Sequence, residues 1–197
     1  MFFKILAVLS LLPVLAYAQE TNFVYNGFRS ANLSLDGIAA VTCNGLLKLT
    51  NDTKLQKGHA FHPDPVQFKN SPNGSVYSFS TAFVFTIQPL YANLSSDGIA
   101  FVIAPQRGLP GSLASQYLGM FNETDNGNSN HVFGVELDTI QNTDFKDIND
   151  NHVGIDLNGL TSANSTQAGY YADGGEFKNL TLISGKEIQV WVDYDGT

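Results

Sequence analysis

His131-Val-Phe-Gly-Val-Glu136-Leu-Asp138-Thr-Ile140-Gln-Asn142-Thr-Asp-Phe-Lys-Asp147-Ile-Asn-Asp-Asn-His152-Val-Gly-Ile-Asp-Leu157 carries both the fold and the chemistry of this chain. Its two ends alternate with period two. Phe133, Val135 and Leu137 oppose Gly134, Glu136 and Asp138; Val153, Ile155 and Leu157 oppose His152, Gly154 and Asp156. Side chains of a strand point alternately to its two faces, so the pattern predicts two strands joined by a polar loop that holds Asn142 and Asp147.

The same reading extends outward. In Ser75 to Ile87 the residues Tyr77, Phe79, Phe83, Phe85 and Ile87 share one face. Ile99 to Ala104 is continuously apolar, as in a strand buried on both faces, and Ile188, Val190, Val192 and Tyr194 line a strand near the end. Turn-rich segments such as Asn70-Ser-Pro-Asn-Gly74 and Asn122 to Asn130 separate these runs, and no long stretch has a helical period. Many strands with such turns predict an all-β sandwich or barrel in one domain.

Aromatic residues make up 12% of the 197 residues and charged ones only 14%, a balance that builds a core and excludes a disordered chain. The net charge of −8 and the lack of any Lys/Arg run argue against a nucleic-acid partner.

Residues 1–18 read as a cleaved signal peptide: Lys4 in a short n-region, an apolar run from Ile5 to Leu15, and Ala16-Tyr17-Ala18 before Gln19. That run is too short to span a bilayer, which takes about 20 apolar residues. The mature domain is then 19–197, secreted to the extracellular space. Sequons at Asn32, Asn51, Asn73, Asn93, Asn122, Asn164 and Asn179 agree with secretion and predict N-glycans on surface loops. Cys43 is the single cysteine, so no internal disulfide forms; it reads either as a small buried apolar residue or as a thiol able to pair with another chain.

Glu136 and Asp138, two apart, project from one strand face, and His152 shares a face with Asp156 on the next strand. Converging carboxylates repel one another unless a cation sits among them. Asp138, Asn142, Asp147 and a backbone carbonyl form an all-oxygen set suited to calcium. Glu136, Asp138, Asp147 and His152 form a mixed oxygen/nitrogen set suited to manganese. A polar loop with dispersed carboxylates is the plainer alternative. An EF-hand fits worse, since His152 stands where that loop needs glycine, and no H-E-x-x-H zinc-protease motif occurs.

This segment resembles the metal-binding signature of legume-type lectins. Asn22 to Phe28 followed by Asn44-Gly-Leu-Leu-Lys-Leu-Thr50 resembles the start of the extracellular lectin domain of plant lectin receptor kinases. Ser96-Asp97-Gly98 to Pro105 and Gln116-Tyr-Leu-Gly119-Met-Phe-Asn122 resemble the family's two pocket segments. The resemblance runs from about Asn22 to the last residue and implies a jelly-roll sandwich of antiparallel sheets that binds carbohydrate without catalysis. It implies manganese on Glu136, Asp138, Asp147 and His152; calcium on Asp138, Asn142, Asp147 and the Ile140 carbonyl; and Ser162 acting on manganese through water. It also implies Asp97 accepting bonds from sugar hydroxyls, the Asn142 amide donating one, a cis peptide between Ser96 and Asp97, and, as in many members, a homodimer.

Three departures matter. Ile140 stands where strong sugar binders carry an aromatic ring, and Gln116 where they carry glycine; both predict weak or altered monosaccharide binding. The chain ends at Asp195-Gly196-Thr197, where further strands are expected from the family, so the domain reads as incomplete at its C-terminus, with edges exposed to mispairing. Two other functions compete. One is a receptor-like interaction module with structural metals that binds a peptide, protein or apolar ligand. The other is a sandwich-fold glycoside hydrolase, in which Glu136-Leu-Asp138-Thr-Ile-Gln141 would be the catalytic strand; Gln141 replaces its second glutamate.

Overall fold

The computed structural model describes residues 22–91, 95–124 and 131–196. The signal-peptide reading, its cleavage point and Asn93 lie outside them. The strands in chain order are β1 (Ser34–Gly37), β2 (Ala40–Val41), β3 (Leu47–Lys48), β4 (Gly58–Phe61), β5 (Phe79–Phe85), β6 (Gly98–Ile103), β7 (Phe133–Asp138), β8 (His152–Leu157), β9 (Asn164–Gln167), β10 (Gly169–Tyr171), β11 (Phe177–Asn179) and β12 (Ile188–Tyr194). The described helical structure is two single 3₁₀ turns, Ser115–Tyr117 and Thr143–Phe145. No helix among the described residues is long and apolar enough to cross a membrane.

Every pairing among the described residues is antiparallel. One sheet has the order β6-β7-β8-β9; β5 pairs with β12, β1 with β4, β2 with β3, and β10 with β11. The β5–β12 pair packs its apolar face on the four-stranded sheet. Phe85 and Ile188 meet Leu137, Ala168 and Leu182 there, with Phe83, Ile99, Val153 and Val190 at the margin. This is the sandwich core that the alternating residues predict. Outward on the same pair, Val84 and Trp191 are exposed.

Two strands differ from expectation. β6 is half-buried along its whole length instead of buried on both faces. It stands at the end of the β6-β7-β8-β9 order, so among the described strands only β7 covers its edge. In β8 the usual burial is inverted at one end. His152, Gly154 and Asp156 are buried, while Ile155 and Leu157 are 42% and 57% exposed. A strand that turns an imidazole and a carboxylate inward and two aliphatic residues outward is governed by what its polar side binds. Cys43 is exposed in the turn between β2 and β3, which corrects the buried reading; it sits at the tip of a turn closed by Thr42 N–H to the Leu46 carbonyl and Gly45 N–H to the Thr42 carbonyl.

Candidate metal and ligand site

Register builds the site. Asp138 pairs with His152, Glu136 with Gly154, and Gly134 with Asp156 across β7 and β8. The three polar side chains Glu136, Asp138 and His152 therefore occupy one face, with donor atoms all within 4.8 Å of one another. Glu136 is 1% exposed, Asp138 4%, and His152 and Asp156 0%. Carboxylates at such depth carry a large desolvation cost, and it shows in the proton affinities of Asp138 and Asp156. Burial raises Asp138 to about 7. Burial, then the neighbouring Glu136 charge, raises Asp156 to about 8. For His152 burial acts downward, but the Glu136 carboxylate and the bond to the Asn149 carbonyl outweigh it and lift the imidazole to about 9.

The loop after β7 folds back on the cluster. Ile140 N–H donates to Asp138 Oδ1 at 2.7 Å, and Asn142 N–H donates to Asp147 Oδ2 at 2.6 Å. Lys146 adopts a left-handed conformation with φ 68°, and the turn closes through Phe145 N–H to the Asn142 carbonyl. Asp147 thus reaches the small polar cavity shared with His152 and Ser162. Its oxygens lie outside the tight Glu136–Asp138–His152 group. His152 Nδ1 is held 2.8 Å from the Asn149 carbonyl, to which it donates, and Nε2 faces the carboxylates, 3.3 Å from Glu136 Oε1.

Among the described residues three buried side-chain atoms make no regular hydrogen bond: Asn142 Oδ1, Asp156 Oδ2 and His152 Nε2, the last lying 3.3 Å from Glu136 Oε1 in an ion pair. Two of them belong to the predicted ligand set. An unpartnered carbonyl oxygen and an imidazole nitrogen held only by an ion pair to Glu136, set beside the buried Asp138 carboxyl, fit a cation-binding donor set.

Ser162 lies in contact with the cluster. Its hydroxyl is 2.5 Å from Glu136 Oε1 and 3.0 Å from Asp156 Oδ1. A hydroxyl has one hydrogen to donate. With Asp156 protonated, the acid donates to Ser162 and Ser162 donates to Glu136. Asp156 is the residue that sequence reasoning placed on the right face and gave no role; its alternation with His152 was the available signal.

The pocket segments adjoin the cluster by the same register. Gly98 pairs with Asp138, so the preceding Asp97 sits where the β7 loop departs. Thr139 N–H donates to the Asp97 carbonyl at 3.0 Å, and the Thr139 hydroxyl donates to the Ser96 carbonyl. Burial raises the Asp97 carboxyl above its ordinary value. Ser115 Oγ stands 3.4 Å from Asp97 Oδ1, bringing the turn that contains Gln116 against Asp97; this Ser115 contact had no signal in the sequence. The Ser96–Asp97 peptide is trans, as are all described peptides, which corrects the cis expectation. Trans is the form that a non-proline peptide favours by about 3–4 kcal/mol.

The sequence profile of the legume lectin domain matches residues 20–197. L-type lectin-domain containing receptor kinase IV.1 of Arabidopsis thaliana is 60% identical over 182 residues, which are 91% of this chain and 27% of that one. The receptor kinase SIT2 of Oryza sativa subsp. japonica is 54% identical over 184 residues, with 92% and 27% covered. The chain thus spans about a quarter of the length of these curated relatives. Among solved structures, peanut lectin with a 9mer peptide superposes with a TM-score of 0.70 at 30% identity, covering 87% of this chain and 70% of that one. The Bauhinia forficata lectin in complex with GalNAc gives 0.71 at 30% identity, covering 88% and 72%. The chain belongs to the legume lectin domain family.

Proposed function

We propose that this chain is a secreted, non-catalytic glycan-binding domain that depends on calcium and manganese. The observation that carries this reading is the unpartnered Asn142 Oδ1 beside a buried Glu136–Asp138–His152 cluster, whose register partner leads directly to Asp97. Glu136, Asp138, Asp147 and His152 would hold manganese; Asp138, Asn142, Asp147 and the Ile140 carbonyl would hold calcium; Ser162 would act on manganese through water. Bound cations supply the positive charge that balances the buried carboxylates. With its carbonyl oxygen so engaged, Asn142 turns its NH₂ toward a ligand. Asp97 accepts from sugar hydroxyls, the Gln116 N–H donates, and Ile140 offers apolar contact without a π-face.

Asp97→Ala is expected to weaken glycan binding by about 10- to 100-fold, because bonds to a charged acceptor contribute about 1.5–3 kcal/mol. A glycan array followed by titration with galactose and N-acetylgalactosamine would measure it. Equal affinity of the variant and the parent would reject the pocket assignment.

Receptor-like recognition of a peptide, protein or apolar ligand is the second reading. It is favoured by Ile140 and Gln116 in place of an aromatic ring and a glycine. Binding of such a partner, untouched by Asp97→Ala and by free sugars, would select it. The hydrolase reading has little support: Glu136 is 1% exposed and hydrogen-bonded, and Gln141 is engaged with the Asp147 carbonyl.

Secretion and N-glycosylation belong to the same proposal. Asn32, Asn51, Asn73, Asn164 and Asn179 are exposed. Asn122 is half-buried, its Nδ2 donating to the Gly111 carbonyl at 3.2 Å. A homodimer would use the outward face of β5 and β12, where Val84 and Trp191 are exposed. Sedimentation equilibrium of the parent and Trp191→Glu tests it, with an unchanged mass for the variant opposing that interface.

A further inference from the structure

The loop 109–121 carries Ser115 and Gln116 to Asp97, yet its backbone is unfavourable by itself. Leu109, Ser115 and Leu118 have φ values of 39°, 62° and 50°, in the left-handed region that side-chain-bearing residues rarely adopt. Such a conformation persists when its surroundings over-determine it. Leu109, Met120 and Phe121 anchor the loop in a buried cluster, and its polar backbone is held from outside by two side chains, Lys57 and His59, two residues apart and so on one face of the β4 strand and its entry. Lys57 Nζ donates to the Ser112 carbonyl at 2.6 Å and to Ser112 Oγ at 2.8 Å. His59, 8% exposed, has Nε2 at 2.8 Å from the Gly119 carbonyl and Nδ1 at 3.0 Å from Asp36 Oδ2. The two grips hold the loop on either side of the Ser115–Tyr117 turn.

His59 has an unusual pair of neighbours. A backbone carbonyl only accepts. Asp36 also accepts, because its bond to His59 holds its carboxyl below the ordinary value and so ionised at neutral pH. Both bonds therefore exist together only while both ring nitrogens carry hydrogen; a neutral ring must release one of them. Among the described residues the charged groups facing the ring are Asp36 from β1 and Lys57, which immediately precedes β4. The loop packed over it has no charged side chain, and Tyr117 is its one titratable group. Gly119 is tight against the ring: a Cβ there would stand 2.8 Å from His59 Nε2, on a backbone with φ +70°.

We propose that His59 is a positioning residue for the ligand pocket, bridging Asp36 of β1 to the Gly119 carbonyl and so setting the placement of Ser115 and Gln116 beside Asp97. It does not itself face Asp97. The inference rests on the reading of Asp97 and this loop as the ligand pocket, and extends it to a residue on a different strand pair.

The test is a pH titration of the isotopically labelled chain by NMR. It follows the His59 imidazole together with the amides of Ser115, Gln116 and Gly119. The three amides are expected to move with the midpoint of His59. Any displacement of that midpoint in Asp36→Asn should be followed by the amides, and the response should vanish in His59→Gln. Loop amides that stay flat through the His59 titration, or that still titrate in a folded His59→Gln, overturn the proposal. Should His59→Gln fail to fold, the titrations of the parent and Asp36→Asn decide alone. Coupled amides in a protein indifferent to Asp97→Ala would reject the pocket reading and leave the His59 bridge standing. Flat amides in a protein that loses glycan binding on Asp97→Ala would reject the bridge alone.

Discussion

Restoring calcium and manganese to the chelated protein near pH 7.5 is expected to raise its thermal midpoint by about 5–10 °C. A ligand that binds only the folded state at about 100 times its Kd adds about 2.7 kcal/mol. For a chain of this size each kcal/mol moves the midpoint by about 2–4 °C. The pH dependence gives the prediction a sign that a nonspecific salt effect lacks. Asp138 and Asp156 have their carboxyls raised from 3.8 to about 7 and about 8. Between those limits the folded state holds protons that the unfolded state has released, so stability of the metal-free protein falls as pH rises through that window. His152, raised from 6.5 to about 9, acts in the same direction. Its contribution is complete below 6.5 and is lost as pH rises through the folded value. These groups titrate as a set. Cations take the deprotonated ligands, so their contribution grows over the same window. In EDTA the midpoint should therefore drop from about pH 5 to about pH 8, while the gain on adding the two ions should rise. Scanning calorimetry with and without ions at the two pH values checks both slopes. An ion response that is absent at the higher pH, or equal at both, would remove the metal assignment.

How far the sequence could be read follows from the range of each contact. Period-two spacing sufficed to put Glu136 with Asp138, and the alternation after His152 sufficed to make β8 a strand. Their antiparallel register then brings Asp138 opposite His152. The contact between Asn142 and Asp147 is also local, since one backbone bond of 2.6 Å ties them together. Other contacts are long-range and leave no periodic trace. Ser115 and Asp97 meet across 18 positions, and His59 and Gly119 across 60. Asp156 was legible as a facing residue but not as a protonated one, because its state depends on burial and on Glu136, two properties of the assembled sheet. The half-buried state of β6 depends on its place in the strand order, which alternation does not encode.

The assembled sheet also couples the two sites. Gly98 pairs with Asp138, and Thr139 bonds both Ser96 and Asp97 through their carbonyls. Under the proposed metal reading, a shift of Asp138 on binding a cation would be transmitted through one residue to the backbone that carries Asp97. By this contact metal occupancy would act on the backbone that carries Asp97.

Gly154→Ala is expected to abolish the ion response while leaving a folded sheet. Gly154 lies opposite Glu136 in the β7–β8 ladder, between His152 and Asp156. A Cβ at this position would overlap Glu136 Oε1 and Ser162 Oγ and stand 3.0 Å from Glu136 Cδ. The side chain that must yield is the one with donor atoms shared among Asp138 and His152. Overpacking of this kind costs about 1–3 kcal/mol, so the midpoint in EDTA should fall by several degrees on the scale given above. The larger effect is on the ligand set. Glu136 displaced from Ser162 and His152 no longer converges with Asp138, and the gain from added ions should disappear. Ile155→Ala is the control, since Ile155 is on the same strand, points the other way and is 42% exposed. Its cost should stay within the roughly 1 kcal/mol span of strand propensity, with the ion response intact. If Gly154→Ala keeps a full ion response, the cations do not use the Glu136 carboxylate, and the manganese set read from this face would have to be drawn without it.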